Sequence, residues 1–159
     1  MTKREESFYT KIAVAAGIYL FAVRPLLQKF GIAKTQEDRL IETQSALPNN
    51  KNPFSPTFWK TGPAGTKILK IEPASQMAAK IYFAMGNFSD DESAIYGVFR
   101  SLSTQSQVSF IAMRFQDMYK IDLLEYLKRG RNQFNPASGL NAEELAVVLN
   151  IVNKLPKYK

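Results

Sequence analysis

Acidic residues are grouped in two places where their spacing could support chemistry. Asp90, Asp91 and Glu92 are consecutive, and Asp117 lies five residues before Asp122. Paired carboxylates can act as general acid and base, and carboxylate clusters can bind calcium, which takes about six to eight oxygen ligands. The 159-residue chain has no histidine and no cysteine, so the commonest general base and thiolate chemistry are both excluded. We therefore predict a protein that is not an enzyme and that binds no cofactor and no small-molecule substrate.

Helix capping explains most of these acids without a metal. Ser89 and Glu92 have the spacing of a capping box, and apolar residues at helical spacing follow them. We predict that a helix begins near Asp90, with the acids of its first turn offsetting the helix dipole. Asn141 and Glu144 have the same spacing before another apolar stretch. The predicted caps are therefore Ser89, Glu92, Asn141 and Glu144, and no metal site is expected.

Apolar residues recur at helical spacing through the second half of the chain, and this pattern predicts an all-α fold. The predicted stripes are Met77, Ala78, Ile81, Ala84 and Met85; Ala94, Ile95, Val98, Phe99 and Leu102; Val108, Ile111, Ala112, Phe115, Met118 and Tyr119; Leu123, Leu124 and Leu127; and Leu145, Val148, Leu149, Val152 and Leu155. Gly86 is placed to end the first helix in the left-handed conformation, and Pro156 ends the last.

The layout of residues 74–127 resembles one annexin repeat, and it extends to 155 if the last helix is the one that closes such a repeat. The residues that match the family pattern are Ala84, Met85, Asp91, Glu92, Ala94, Ile95, Gln107, Ile111, Phe115, Tyr119, Asp122, Leu123 and Leu127. The resemblance implies a small annexin-like bundle of about five helices.

The calcium chemistry of annexins is not expected here. In the family, carbonyls of a Gly-x-Gly-Thr loop bind calcium together with a later acidic side chain. The corresponding loop in this chain, residues 87–90, is Asn-Phe-Ser-Asp without glycine, and the later stretch 128–132 is basic. Calcium-dependent lipid binding should therefore not be carried over from the resemblance.

A hydrophobic run near the start of the chain predicts a membrane anchor. From Ile12 to Val23 no side chain is polar except that of Tyr19. Lys11 and Arg24 flank the run and could extend to the lipid surface on both sides. The predicted anchor residues are Ile12, Val14, Ile18, Tyr19, Leu20, Phe21 and Val23.

Two alternatives stay open for this run. A helix of twelve residues is about 18 Å long, whereas a bilayer core is about 30 Å thick, so the segment could instead be a core helix or a helix bound to a protein partner. A cleaved signal peptide fits less well, because no small-residue cleavage site follows Val23. Basic residues flank both ends, which leaves the orientation across a membrane undetermined.

We predict three regions: an anchor helix over 1–33, a polar helix and linker over 34–56, and the annexin-like domain over 57–159. Thr35 and Asp38 have capping-box spacing, and residues 47–56 contain three prolines and three asparagines, a composition typical of turns. Ser55-Pro56 is predicted to start a short helix whose neighbouring rings, in Phe54, Phe58 and Trp59, pack on the domain rather than rest on a membrane.

Three further segments have simple interpretations. The glycine-rich loop 61–66 lacks the lysine position of a phosphate-binding loop, and Ile68 to Ile71 alternates like an extended segment at a domain edge. Residues 157–159 are expected to fray in solvent.

The positive charge is spread along the sequence. The net charge is +7; residues 51–80 carry five lysines against one acid, and residues 100–159 carry nine basic residues against five acids. No predicted helix has the basic and aromatic stripe of a nucleic-acid reader, so nucleic acid is not the favoured partner.

Together these features predict a membrane-anchored structural or interaction protein, similar in plan to short bacterial and bacteriophage proteins and consistent with a virion component. Its expected partners are lipid through the first helix and proteins, or further copies in an oligomer or shell, through the helical domain. The alternatives are a soluble binding module whose first helix enters a protein interface, and a basic structural protein that contacts nucleic acid.

Overall fold

The computed structural model describes residues 34–86, 91–130 and 139–159, and within these ranges the chain is helical without strands. The elements are α1 (Gln36–Ser45), the 3-10 helix η1 (Phe58–Thr61), α2 (Ile71–Ala84), α3 (Glu92–Arg100), α4 (Gln105–Tyr119), α5 (Leu123–Arg129) and α6 (Ala142–Asn153). The prediction of an all-α fold is confirmed for the described residues.

The predicted anchor lies outside the described residues, as do its flanking residues Lys11 and Arg24. Among the helices in ranges 34–86, 91–130 and 139–159, none combines the length and apolar character needed to cross a membrane.

The chain divides into two compact units, Met1–Arg39 and Leu40–Lys159. In the described part of the first unit, the Oγ1 atom of Thr35 accepts a hydrogen bond from the Asp38 N–H, and the Asp38 carboxylate accepts one from the Thr35 N–H. This reciprocal pair caps the start of α1.

Helix α4 is the centre of the second unit. Eight of its fifteen residues are buried, and it packs against α2, η1, α5 and α6, while α3 packs against α2 and α6. The predicted stripes supply most of the core, since Ile81, Phe99, Ile111, Leu127 and Leu149 are all fully buried. One hydrophobic core therefore joins the predicted helices.

The loop between α2 and α3 differs in detail from its prediction. Helix α3 begins at Glu92, and its N-cap is Asp91, whose side chain accepts a hydrogen bond from the Ala94 N–H. Glu92 is thus the first helical residue and not the third, and Ser89 lies outside the described residues. Consecutive Ser and Asp residues all make good caps, so spacing alone did not select Asp91.

The end of α2 also differs from expectation. Met85 follows the helix in an extended conformation, and the Ala84 carbonyl accepts a hydrogen bond from the Asp91 N–H across the loop. The Asp91 N–H thus satisfies a carbonyl at the end of α2. A left-handed turn at Gly86 was expected to satisfy such carbonyls. A left-handed residue does follow α4, where Lys120 has φ 61°.

The proline-rich segment before η1 is packed on the domain. Phe54 and Phe58 are buried, and Trp59 packs against the core, as predicted for these three rings. The Ser109 hydroxyl donates to the Ser55 carbonyl and accepts from the Trp59 N–H, which ties this segment to α4. The helix predicted from Ser55-Pro56 begins later, at Phe58, because residues before it form turns.

Residues 139 and 140 contact the backbone of α5. The Leu140 N–H donates to the Leu127 carbonyl over 2.9 Å. At Gly139 a Cβ atom would overlap the Lys128 carbonyl, so only glycine fits this approach. Gly130, with φ 70°, ends α5 in a conformation that also favours glycine.

Candidate functional site

The last six residues of the sequence form a docked segment, which we call the tail (154–159). The Pro156 carbonyl accepts a hydrogen bond from the Gln105 N–H, and the Lys157 carbonyl accepts from the N–H and hydroxyl of Ser106. The prediction that residues 157–159 fray in solvent is therefore wrong. The first N–H groups of a helix lack partners inside it, and at α4 the tail carbonyls supply them.

Side chains reinforce this docking. The Tyr158 ring stacks on Phe58 with centroids 5.7 Å apart, and its hydroxyl lies 2.6 Å from the Thr61 hydroxyl. A Cβ atom at Gly62 would lie 2.9 Å from the Tyr158 ring, so the glycine allows the close approach. The Lys67 N–H donates to Lys159 over 3.0 Å. The tail therefore runs beside the segment from η1 to α2.

This contact places the stretches 60–70 and 154–159 beside each other, and we call the six lysines that they carry the lysine surface. Their side chains are all exposed, and neither contributing stretch, 60–70 or 154–159, contains an acidic residue. The members are Lys60, Lys67, Lys70, Lys154, Lys157 and Lys159.

None of the six forms an ion pair within the described ranges. The ion pairs found there join Arg114 to Asp117, and Lys128 and Arg129 to Glu125, on other helices. Six exposed lysines that form no ion pair among the described residues favour an anionic partner.

The clustering was not predicted, because each stretch alone has ordinary lysine spacing. Docking of the tail beside residues 60–70 is what places the two sets side by side. The sequence signal that could have indicated it is the absence of acids from 51–71 and 145–159, two long stretches in a chain with 14 acidic residues.

Apolar and aromatic groups accompany the lysines. The Lys60 ammonium lies 5.5 Å from the centroid of the Trp59 ring, within cation–π range. Ile68 and Ile71 follow Lys67 and Lys70, and Ile71 is 62% exposed. The lysines of this surface thus have exposed aliphatic side chains as neighbours in the sequence.

A second unusual feature, the aromatic cluster (Tyr82, Phe115, Tyr119, Tyr126), lies toward the other end of α4. Tyr82 and Tyr119 stack with centroids 3.9 Å apart, and the Tyr126 hydroxyl donates to the Tyr82 carbonyl. Burial, followed by the neighbouring Tyr82, raises the pKa of Tyr119. Tyr82 and Tyr126 were missed in the sequence because neither lies on a predicted stripe.

Among the grouped acids, Asp90 lies outside the described residues, and two of the others cap helices. Asp91 caps α3 and Asp122 caps α5, while Asp117 pairs with Arg114. Asn141 and Glu144 exchange hydrogen bonds of 3.0 and 2.9 Å at the start of α6, which is a capping box. Within the described ranges, no three acidic residues are grouped so that they could hold a metal ion.

No known protein family, curated protein or solved structure matches this chain.

Proposed function

We propose that this chain is a non-enzymatic structural protein anchored in a membrane by its N-terminal hydrophobic segment. The observation that carries the proposal is the run from Ile12 to Val23, in which Tyr19 is the only polar side chain, flanked by Lys11 and Arg24. With basic residues that extend to the lipid surface and apolar neighbours on both sides, the run can cross a bilayer as a single pass.

The helical unit is proposed to dock onto protein partners or further copies of the chain. An annexin-like repeat by itself offers a limited core, which favours docking onto neighbouring molecules. Exposed apolar side chains are consistent with docking, and Phe83, beside the aromatic cluster, is 69% exposed.

The acids support a non-enzymatic role. Asp91 and Asp122 are engaged in helix caps, and Asp117 is engaged by Arg114. These are three of the four carboxylates whose pairing could have served acid–base chemistry, and the fourth, Asp90, lies outside the described residues.

The proposed setting is a virion or bacterial membrane, by similarity of plan to small bacteriophage proteins with a hydrophobic helix before one annexin-like repeat. A basic protein is suited to both, since the net charge of +7 is attracted to anionic surfaces.

One alternative has an observation behind it. The strictly apolar run has twelve residues, about 18 Å as a helix against a bilayer core of about 30 Å. That length equally suits a soluble module whose first helix inserts into a protein interface.

Flotation with neutral phosphatidylcholine vesicles separates the two functions. We compare the full chain with Gly17→Glu, which places a charge inside the run, and with Gly17→Leu as the matched control. A charge at the bilayer centre costs about 3 kcal/mol, so Gly17→Glu should lose flotation by about a hundredfold while Gly17→Leu floats like the parent.

Salt and calcium complete the test. An inserted anchor floats at high salt and in the presence of a chelator. Flotation that requires calcium would show that the loop at 87–90 was wrongly dismissed, and flotation equal in all three proteins would exclude the anchor.

A further inference from the structure

We infer that the lysine surface is a second membrane contact, which binds anionic lipid headgroups without calcium. The inference rests on the proposed membrane location and adds the lipid class and the face of the helical unit that meets it.

Hydrogen bonds hold the backbone of Lys157 and Lys159 in place. The backbone oxygen of Lys157 accepts a hydrogen bond from the Ser106 N–H, and that of Lys159 accepts one from the Lys67 N–H. Their ammonium groups therefore need no backbone bond to be broken before they meet a ligand. Clusters of about four to eight basic residues are the usual signature of anionic lipid recognition, and this surface has six.

The choice of lysine favours lipid over protein. Protein interfaces are enriched in arginine and depleted of lysine, because the guanidinium forms paired hydrogen bonds in fixed geometry. All six positive residues of the surface are lysines. An ammonium group on a flexible stem suits a fluid layer of phosphates, which offers charge without fixed geometry.

The exposed aliphatic side chains also favour a lipid surface. Ile68 is 38% exposed and Ile71 is 62% exposed, and each directly follows a lysine of the surface. Aliphatic groups between lysines can enter the boundary between headgroups and acyl chains, where lysine stems reach back to the phosphates.

The aromatic rings argue against a single-stranded nucleic acid as the preferred ligand. Such ligands are bound largely by stacking of bases on free aromatic faces. Here Tyr158 is stacked on Phe58, and Trp59 contacts the Phe110 ring and the Lys60 ammonium. The rings at this surface are therefore already engaged within the fold.

Trp59 provides a direct readout, because it is the only tryptophan of the chain. The full chain is mixed with vesicles that contain a dansyl-labelled lipid, and energy transfer from Trp59 reports whether its surface lies on the bilayer. We compare neutral phosphatidylcholine with the same lipid containing phosphatidylglycerol. Transfer should rise with phosphatidylglycerol, and the rise should disappear at about 1 M salt, where the Debye length is about 3 Å.

Two charge-matched variants locate the contact. Lys67→Glu with Lys157→Glu alters the lysine surface, whereas Lys80→Glu with Lys120→Glu alters exposed lysines elsewhere. Each exchange changes the charge by two units, so both double variants take the net charge from +7 to +3. Lys120 follows the last residue of α4, about 22 Å from the first turn where the tail docks. Lys60 is kept, because its ammonium lies beside the reporting ring.

Lys67→Glu with Lys157→Glu should abolish the rise in energy transfer on phosphatidylglycerol vesicles. Lys80→Glu with Lys120→Glu should leave that rise unchanged. Equal transfer on neutral and anionic vesicles would overturn the inference, as would equal loss in both variants. Binding of a short DNA duplex without any response to phosphatidylglycerol would also overturn it, in favour of a nucleic-acid surface.

Different results would exclude the membrane anchor and the lipid contact of the lysine surface. If the chain does not float with neutral vesicles but binds anionic ones through Lys67 and Lys157, the anchor is excluded and the lysine surface is supported. If it floats with neutral vesicles and shows no response to phosphatidylglycerol, the anchor stands and the lysine surface is excluded.

Discussion

The surroundings of a glycine determine whether it can be replaced by alanine, as two glycines of this chain show. At Gly97, inside α3 and exposed, a Cβ atom would meet nothing within 4 Å. At Gly139 a Cβ atom would overlap the backbone carbonyl of Lys128. The same substitution should therefore have opposite effects at these positions.

We expect Gly97→Ala to raise the free energy of unfolding by about 0.5 to 1 kcal/mol, because alanine loses less backbone freedom in a helix. Gly139→Ala should lower it by about 1 to 3 kcal/mol, since backbone must move to make room. Urea denaturation of the two variants checks this pair of predictions. A stabilised Gly139→Ala variant would show that residues 128 and 139 do not approach each other as described.

Two tyrosines make stability sensitive to alkaline pH. Burial, then the carboxylates of Glu144 and Glu92, raise the pKa of Tyr96 above its usual 10.0, and burial raises that of Tyr119. The folded state thus holds these protons more tightly than the unfolded state. The resulting stability is fully present below pH 10 and is lost as the pH rises through the folded-state pKa values.

Tyr96→Phe should therefore flatten the loss of stability above pH 10, because the folded state no longer has that proton to retain. Its hydroxyl makes only one long hydrogen bond, 3.5 Å to the Glu144 carbonyl, so the cost at neutral pH should be about 0.5 kcal/mol or less. Denaturation midpoints measured across the alkaline range, beside the tyrosinate absorbance, provide the test. An unchanged pH profile would contradict the assignment to Tyr96.

At the scale of elements, the tail acts as an external cap for α4. Tyr158→Ala removes the stack on Phe58 and the hydroxyl contact with Thr61, and we expect a loss of about 1 to 3 kcal/mol. Lys157→Ala is the control, because Lys157 binds α4 through its carbonyl. Its effect should stay within about 0.5 kcal/mol.

Hydrogen exchange locates the effect of Tyr158→Ala. The amides of Lys67, Gln105 and Ser106 donate to the tail, and they should exchange faster when it detaches. Protection of these amides that is the same in Tyr158→Ala and in the parent would mean that the side chain does not hold the tail.

Helices were predictable where information is local. The stripe of Ile95, Val98 and Phe99 predicts both the helix and its buried face, and the spacing of Asn141 and Glu144 predicts a cap of two reciprocal bonds. The position of Asp91 as N-cap was less predictable, because several neighbouring residues could serve. The tail was unpredictable for another reason: Tyr158 meets Thr61 across 97 residues, and no short pattern encodes such a contact.

At the scale of the whole second unit, the two ends of α4 have different chemistry. The tail and its lysines lie at the first turn, whereas Tyr119 and the stacked rings around it lie at the last. The acid-free stretches were visible in the sequence, but their juxtaposition was not, because it exists only once the fold has placed residues 60–70 beside 154–159. The aromatic cluster likewise depends on packing between α2, α4 and α5.

One core implies one unfolding transition for this unit. Phe54 lies in the same core as Phe99, with centroids 5.9 Å apart, and Trp59 packs edge-on against Phe110. Tryptophan emission and far-ultraviolet circular dichroism should therefore report the same denaturation midpoint. An earlier fluorescence transition would mean that the proline-rich segment behaves as the linker that its composition indicated.

The return of the chain at Leu127 and Leu140 also makes this protein a convenient scaffold. The hydrogen bond between these residues and the fit of Gly139 hold the two ends of the intervening segment together. Loop-closure entropy grows only with the logarithm of length, so doubling such a segment costs about 0.6 kcal/mol. An epitope tag or a fluorescent reporter inserted between Arg129 and Gly139 should thus leave the helices intact, which offers a labelling position within the second unit.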